Sequence, residues 1–116
     1  MKIRIRSRNV EMTSALRTHV ERRVGLALAR FGERIDRVIV RFSDAEGYGG
    51  ASARRCQVDV GLSPRRVRAE DTDVDSFAAV DHATDRVSRS VARALELEPA
   101  IDEGRIAPGT SAGSRT

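Results

Sequence analysis

The stretch IDRVIVRFSDAEGYGGASARRCQVDVGLSPRRVRA, residues 35–69, decides the fold. At both ends of it, apolar residues alternate with arginine and other polar residues, which is typical of strands with one buried face. A glycine-containing loop is predicted over 44–53, and Ser63-Pro64 makes a tight connection. Short connections between consecutive strands favour antiparallel pairing, so the stretch predicts a three-stranded meander. The predicted strands cover 35–43, 54–62 and 65–70.

The flanking segments complete a two-layer domain. An alternating pattern over 2–8 predicts a first strand, and apolar residues at spacings of three and four predict helices over 14–31 and 76–97. Gly32 is placed to end the first helix. The order β-α-β-β-β-α predicts an α+β fold in which two helices pack on one face of a four-stranded sheet. The other face of the sheet is then open and rich in arginine.

Polar residues mark the helix starts and the domain boundary. Thr13 is placed to cap the first helix, and Asp73 or Asp75 to cap the second, within an acidic turn predicted over 71–75. After the second helix, Gly, Ser, Thr and Pro are frequent and no apolar period is present. The sequence therefore predicts a domain over 1–97 and a disordered tail over 98–116.

Composition excludes several classes of protein. The chain has 116 residues, 40% hydrophobic and 33% charged, which does not fit a collagen, a coiled coil or a wholly disordered chain. No apolar run approaches about 20 residues, so no membrane span is expected, and the charged N-terminus does not resemble a secretory signal. Cys56 is the only cysteine and is expected to be a buried small residue. A chain without an internal disulfide fits a reducing cytoplasm.

No constellation of residues predicts catalysis. His19 and His82 lie on separate predicted helices, and no Gly-x-Ser-x-Gly elbow is present. One cysteine and two scattered histidines do not make a zinc site. The acidic residues over 70–75 lack the glycine and the distal glutamate of a calcium loop, so helix capping and solvation explain them better. We therefore expect no enzyme, no cofactor, no metal and no small-molecule substrate.

The helices carry ordered positive charge. On a helical projection, one flank of the second helix holds His82, Arg86, Arg89 and Arg93. One flank of the first helix holds His19, Arg23 and Arg30. If the helices pack side by side, these flanks are expected to join into a basic groove that matches the phosphates of folded RNA. The alternative is a solvated charged face that binds no RNA.

Two segments resemble a known family. KIRIRSRNVEMTSALRTHVERRV, residues 2–24, is similar to the first strand and helix start of the ribosome hibernation-promoting factors, the short ribosome-associated inhibitors of translation. EDTDVDSFAAVDHATDRVSRSVAR, residues 70–93, is similar to the acidic turn and basic second helix of that family. Both segments occur in the family's order, and the resemblance spans 1–97.

The resemblance implies a ribosomal partner. Members of the family bind the small ribosomal subunit in the channel used by messenger and transfer RNA, contact ribosomal RNA through helix residues and so block initiation. By position, the matching basic residues are Arg17, Arg23, Arg86, Arg89 and Arg93. Leu26 stands where a lysine is common, and no basic run follows Arg93. The segment after residue 97 is too short for the dimerisation domain of the long form.

Two other functions follow from the same pattern. A protein-interaction module of this fold would use the open sheet and the acidic turn without binding ribosomes. A small hydrolase or transferase is disfavoured because the sequence lacks an acid-base constellation. The sequence leaves open whether ribosomes pair into dimers and what stress induces the protein.

Overall fold

The structure is a computed structural model that describes residues 2–48 and 51–96, so the predicted tail lies outside the described residues. The elements are β1 (Ile3–Arg8), α1 (Ser14–Leu28), a 3₁₀ segment (Ala29–Arg34), β2 (Arg37–Tyr48), β3 (Ala51–Gly61), β4 (Arg66–Asp73) and α2 (Ser76–Glu96). Among these helices, none is long and apolar enough to cross a membrane. The predicted β-α-β-β-β-α order is confirmed.

The four strands form one mixed sheet in the order β1-β2-β3-β4. β1 runs parallel to β2, with Ile3 opposite Val38, because helix α1 returns the chain to the same end of the sheet. β2, β3 and β4 pair in antiparallel fashion, as the meander predicts. Both helices pack on one face of this sheet, so the predicted two-layer fold is confirmed.

The β2–β3 hairpin is longer than the sequence indicates. A loop over 44–53 was expected, and this is wrong because β2 continues to Tyr48 and β3 begins at Ala51. The pairing register shifts between Ala45 and Tyr48, which lets the ladder continue past an irregularity. Glycines in this segment suggested a loop, but a bulged hairpin also tolerates them.

β4 is also longer than predicted. Asp71 and Asp73 were assigned to an acidic turn, and this is wrong because both residues pair with β3, opposite Cys56 and Arg54. The next acid, Asp75, does cap α2: its carboxylate accepts a hydrogen bond of 2.9 Å from the Phe77 amide. The three acids therefore lie within the last three residue pairs of the β3–β4 ladder and at the helix start.

Helix α1 has the predicted cap but ends early. Thr13 Oγ1 accepts from the Leu16 amide at 3.1 Å. The α-helical bonds stop at Leu28 rather than at residue 31, and the chain tightens into the 3₁₀ segment, which satisfies terminal carbonyls. Gly32 then has φ +53°, a conformation that glycine adopts without a steric penalty.

Aliphatic side chains fill the space between the sheet and the helices. The largest fully buried residues are Phe42, Leu28, Val20, Val24, Val38, Val40, Val58, Val60, Val80, Val87, Val91 and Thr84. Cys56 is fully buried among them, as predicted. Burial raises the pKa of its thiol to about 12, and the nearby charge of Asp71 adds to that rise. The thiol is therefore neutral at physiological pH.

Candidate nucleic-acid interface

The basic flank of α2 borders the exposed edge of the sheet. Because β4 is the last strand, no further strand covers this flank, and a groove remains between helix and strand. The groove is lined by Arg68, Ala69 and Glu70 from β4 and by Arg86, Arg89, Ser90 and Arg93 from α2. At the end of the helix, Arg65 Nη1 donates to the Ala94 carbonyl oxygen at 3.2 Å. Positive charge therefore accumulates toward the C-terminal half of α2.

The N-terminal half of the same flank is partly neutralised. His82 Nδ1 lies 3.2 Å from Asp71 Oδ2, and Arg86 Nη2 lies 3.7 Å from Asp71 Oδ1. Asp71 faces α2 because it occupies an inward position of β4, opposite the buried Cys56. His82 and Arg86 are thus exposed but already near a carboxylate. An incoming phosphate has to compete with Asp71 for them.

Arg89 and Arg93 are the available cations of the groove. Both side chains are exposed, and neither forms an ion pair within residues 2–48 and 51–96. They lie four residues apart, one helical turn, on the same side of α2. A guanidinium with unused donors binds phosphate with two parallel hydrogen bonds. The geometry therefore favours Arg89 and Arg93 as the phosphate contacts of this helix.

The predicted basic flank of α1 meets the acidic edge of α2. His19 Nε2 lies 2.8 Å from Asp81 Oδ1. Arg23 contacts the same oxygen through Nε at 3.2 Å, and its Nη2 lies 2.8 Å from Asp85 Oδ1. Two carboxylates thus hold the Arg23 guanidinium at the seam between the helices.

Arg17 on α1 and Arg30 on the 3₁₀ segment lie apart from the groove. Arg30 stacks over the Phe31 ring, 4.4 Å from its centroid, and its Nη2 approaches Ser88 Oγ at 3.5 Å. Arg17 is exposed, about 120° around the helix from Arg23 at 100° per residue. The structure therefore does not bring the α1 residues together with the basic flank of α2.

The single groove expected from the two helix flanks is wrong. Asp81 and Asp85 lie between the two basic rows, because the acidic edge of α2 is the edge that packs against α1. The observed groove lies on the other side of α2, where β4 contributes Arg68. Sequence analysis missed Arg68 because its outward position in β4 assigned it to the far face of the sheet. The sequence offered one signal of this role for Arg68: β4 is the last strand and is therefore an edge strand of the sheet.

One cluster has the composition of a metal site. Ligand atoms of Asp71, Asp73 and His82 lie within 4.8 Å of one another. Asp71 already contacts His82 and Arg86, and Asp73 Oδ1 accepts from the Asp75 amide at 2.9 Å. These contacts account for the cluster as part of the α2 start, and we assign no metal to it.

Comparison with known sequences identifies related proteins. The family model described as Sigma 54 modulation protein / S30EA ribosomal protein matches residues 3–97. A ribosome hibernation promotion factor of Lactococcus lactis subsp. cremoris is 29% identical over 93 residues, covering 78% of this chain and 48% of that protein. One of Bacillus subtilis is 30% identical over 95 residues, covering 78% and 47%. The chain spans about half the length of these two relatives.

Solved structures show the same fold. The N-terminal domain of Thermus thermophilus Protein Y superposes with a TM-score of 0.66 at 32% identity, covering 80% of this chain and 98% of that domain. A ribosomal subunit interface protein from Coxiella burnetii gives a TM-score of 0.69 at 16% identity, covering 83% and 99%. At that identity the second likeness concerns the fold alone.

Proposed function

This chain belongs to the Sigma 54 modulation protein / S30EA ribosomal protein family, and from that membership we propose that it binds the ribosome. Relatives named as ribosome hibernation promotion factors support this assignment. The partner would be the small subunit, in the cytoplasm, and the contacts would be made to ribosomal RNA. The protein would act by binding and not as an enzyme.

The proposed mechanism is steric. A rigid domain of this size, placed in the channel used by messenger and transfer RNA, prevents either from entering. No covalent step is needed, and inhibition lasts as long as the domain remains bound. Its release would become easier as the salt concentration rises, because salt weakens arginine-phosphate contacts. The protein would thereby keep idle ribosomes inactive under stress.

The observation that carries the proposal is the pair of unopposed arginines on α2. Arg89 and Arg93 project into an open groove and have no acidic partner within the part of the chain that the structure describes. The competing module that uses an acidic turn has less support, because Asp71, Asp73 and Asp75 are engaged in strand pairing, ion pairs and capping.

A salt titration of binding tests the proposal. In the variant Arg86→Gln/Arg89→Gln/Arg93→Gln, the slope of log affinity for purified small subunits against log salt should flatten by about 2 units, since each phosphate contact contributes roughly 0.7–0.9. The matched control replaces the same three residues with lysine, which keeps the charge and should keep most of the slope. Circular dichroism checks that both variants are folded.

The outcome distinguishes an α2 surface that binds RNA from a solvated charged face that does not. A folded glutamine variant with the wild-type slope would show that α2 is not the RNA surface. Wild-type protein that does not sediment with small subunits would overturn ribosome binding itself. If the lysine variant binds as weakly as the glutamine variant, positive charge alone is not sufficient. The contact then requires the planar guanidinium group of arginine.

A further inference from the structure

The outer face of the sheet, which the helices leave open, is dominated by arginine. The register and the burial pattern place alternate residues of every strand on this face. Its arginines are Arg4, Arg6 and Arg8 on β1, Arg37 and Arg41 on β2, Arg55 on β3, and Arg66 and Arg68 on β4. The acidic residues at the outward positions of the same paired segments are Asp59 and Glu70. The face therefore carries a large excess of positive charge.

Acidic partners engage only part of this charge. Asp59 is nearly buried and holds two arginines, with Oδ2 2.8 Å from Arg41 Nη1 and Oδ1 2.7 Å from Arg68 Nε. The hydrogen bond and the charge of Asp59 raise the pKa of Arg68. Glu70 instead accepts from Gln57 Nε2 at 2.9 Å. The arginines of this face that are exposed and have no ion pair within the described residues are Arg4, Arg6, Arg8, Arg37 and Arg66.

A hollow on this face lies between two of the unopposed arginines. Arg37 and Arg66 both pair with Gly61, one from each neighbouring strand. Because Gly61 has no side chain, the space above it is open, and a Cβ there would lie 3.6 Å from Arg37 Cγ. Arg41 and Arg65 also line the hollow, together with the acidic residues Asp36 and Asp59. Asp59 is already paired with Arg41 and Arg68. A glycine inside a strand is a place where a ligand can approach the backbone closely.

We propose that the outer face of the sheet is a second phosphate-binding surface for RNA, and that the hollow over Gly61 receives one backbone phosphate. This inference rests on the proposed ribosome binding for the identity of the RNA. The sheet face and the α2 groove meet along β4, where Arg68 and Glu70 belong to both. The proposed RNA contacts therefore extend from the groove around this edge onto the sheet.

The chemistry of the face selects phosphate over bases or a protein. At the outward positions described for 4–8, 37–43, 55–61 and 66–72, no side chain is aromatic, so bases have no ring to stack on. Ile39 is the one sizeable aliphatic group at those positions, which leaves a protein partner without the apolar anchors that dominate interfaces. Backbone phosphates need only the positive charge and the guanidinium donors.

Two probes test the second surface. One is the purified small subunit, and the other is a labelled single-stranded oligouridylate, which contains no protein and no folded structure. In Arg4→Gln/Arg37→Gln/Arg66→Gln, the salt slope should flatten by about 2 units with small subunits. Affinity for the oligouridylate should fall at least about tenfold in low salt. Lysine at the same three positions is the matched control and should retain most of both.

A substitution pair isolates the hollow. Gly61→Asp places a carboxylate between Arg37 and Arg66, whereas Gly61→Asn places a neutral group of the same shape there. The Cβ meets only ordinary van der Waals contacts, and the arginines stabilise the new carboxylate, so both variants should fold. Gly61→Asp should weaken RNA binding at least about fivefold relative to Gly61→Asn, because its negative charge offsets part of the positive charge of the two guanidinium groups.

Each outcome bears on one proposal. A folded sheet variant with wild-type slope and affinity on both probes overturns the second surface and leaves the α2 proposal intact. Loss of small-subunit binding with unchanged oligouridylate binding assigns the face to a ribosomal protein, which also overturns it. Wild-type protein that binds oligouridylate through these arginines but does not bind small subunits keeps the surface and overturns ribosome binding.

Discussion

The helix layer and the open face of the sheet both display arginine, but they differ in how its charge is opposed. At the seam of the helices, Arg23 is held by Asp81 and Asp85 from the neighbouring helix. On the sheet, the nearly buried Asp59 holds two arginines, and the others have no acidic partner within the described segments. The same residue type is therefore neutralised at the helix seam and largely available on the sheet face.

This difference shows why a charge count does not locate a phosphate site. A guanidinium that already binds a carboxylate gains little from a phosphate, because the first contact must be given up. Counterion release likewise depends on the charge that remains uncompensated at the surface. Availability of an arginine is thus set by what faces it across the packed elements. This statement can be tested first in the core that separates the helix layer from the sheet face, and then on each of these two surfaces.

The largest expected effect concerns Cys56, which lies in the layer between the two surfaces. Its pKa is about 12 in the folded state, against an ordinary value of 9.0. Well below pH 9 the thiol is protonated in both states. As pH rises from 9 to 12, the unfolded chain loses the proton and the folded chain keeps it, so the free energy of unfolding falls. The loss reaches about 4 kcal/mol at pH 12, at 1.36 kcal/mol per unit.

Urea unfolding at pH 8 and pH 10.5 measures this effect. Between these values, wild type should lose about 2 kcal/mol more than Cys56→Ala, which has no thiol to ionise. Asp71→Asn should reduce the difference, because the charge of Asp71 contributes to the raised pKa. Equal losses in wild type and Cys56→Ala would mean that solvent reaches Cys56 and that the two surfaces are not separated by a closed core.

A smaller effect is expected at Asp59, the acid that opposes two arginines of the sheet face. Asp59→Asn keeps the shape but removes the charge, so Arg41 and Arg68 become available. We expect a loss of about 1–2 kcal/mol in unfolding free energy, from the weakened hydrogen bonds of a nearly buried group. The salt slope of RNA binding should steepen by about 1 unit or more as the two guanidinium groups gain phosphates.

Glu70→Gln is the control for Asp59→Asn. It removes the same charge from the same face, but Glu70 is exposed and bonded to Gln57 rather than to an arginine. Its stability should change by less than about 0.5 kcal/mol, and its slope should change less than that of Asp59→Asn. If the two variants steepen the slope equally, net charge alone governs binding and the pairing of arginines has no role.

Much of the fold follows from the sequence, because alternation and helical spacing are local properties. Ile3, Val38 and Val58 face the core as their periodicity predicts, and the caps at Thr13 and Asp75 form as expected. The ends of the long hairpin and of β4 were not predictable, since cross-strand pairing decides them. Pairing overrides the turn preference of glycine and aspartate there.

The candidate site was less predictable than the fold. A helical projection correctly separates the acidic and basic edges of α2, but it does not say which edge packs against α1. The observed choice pairs Arg23 with Asp85 and leaves Arg89 exposed. That choice depends on the relative rotation of two helices on a sheet, which is set by the whole core and not by either helix alone.

The smallest expected effect compares Arg23 with Arg89 directly. Arg23→Gln and Arg89→Gln make the same change in charge and side-chain type on neighbouring helices. Arg89→Gln should flatten the salt slope of small-subunit binding by about 0.7–0.9 units and leave stability unchanged, since its side chain is unopposed. Arg23→Gln should change the slope by less than about 0.3 units, because Asp81 and Asp85 already neutralise it. It should instead lower the unfolding free energy by about 0.5 kcal/mol, as expected for partly exposed ion pairs. If Arg23→Gln flattens the slope as much as Arg89→Gln, the ion pairs of Arg23 at the seam must break when RNA binds. The two helices would then bind RNA as one surface.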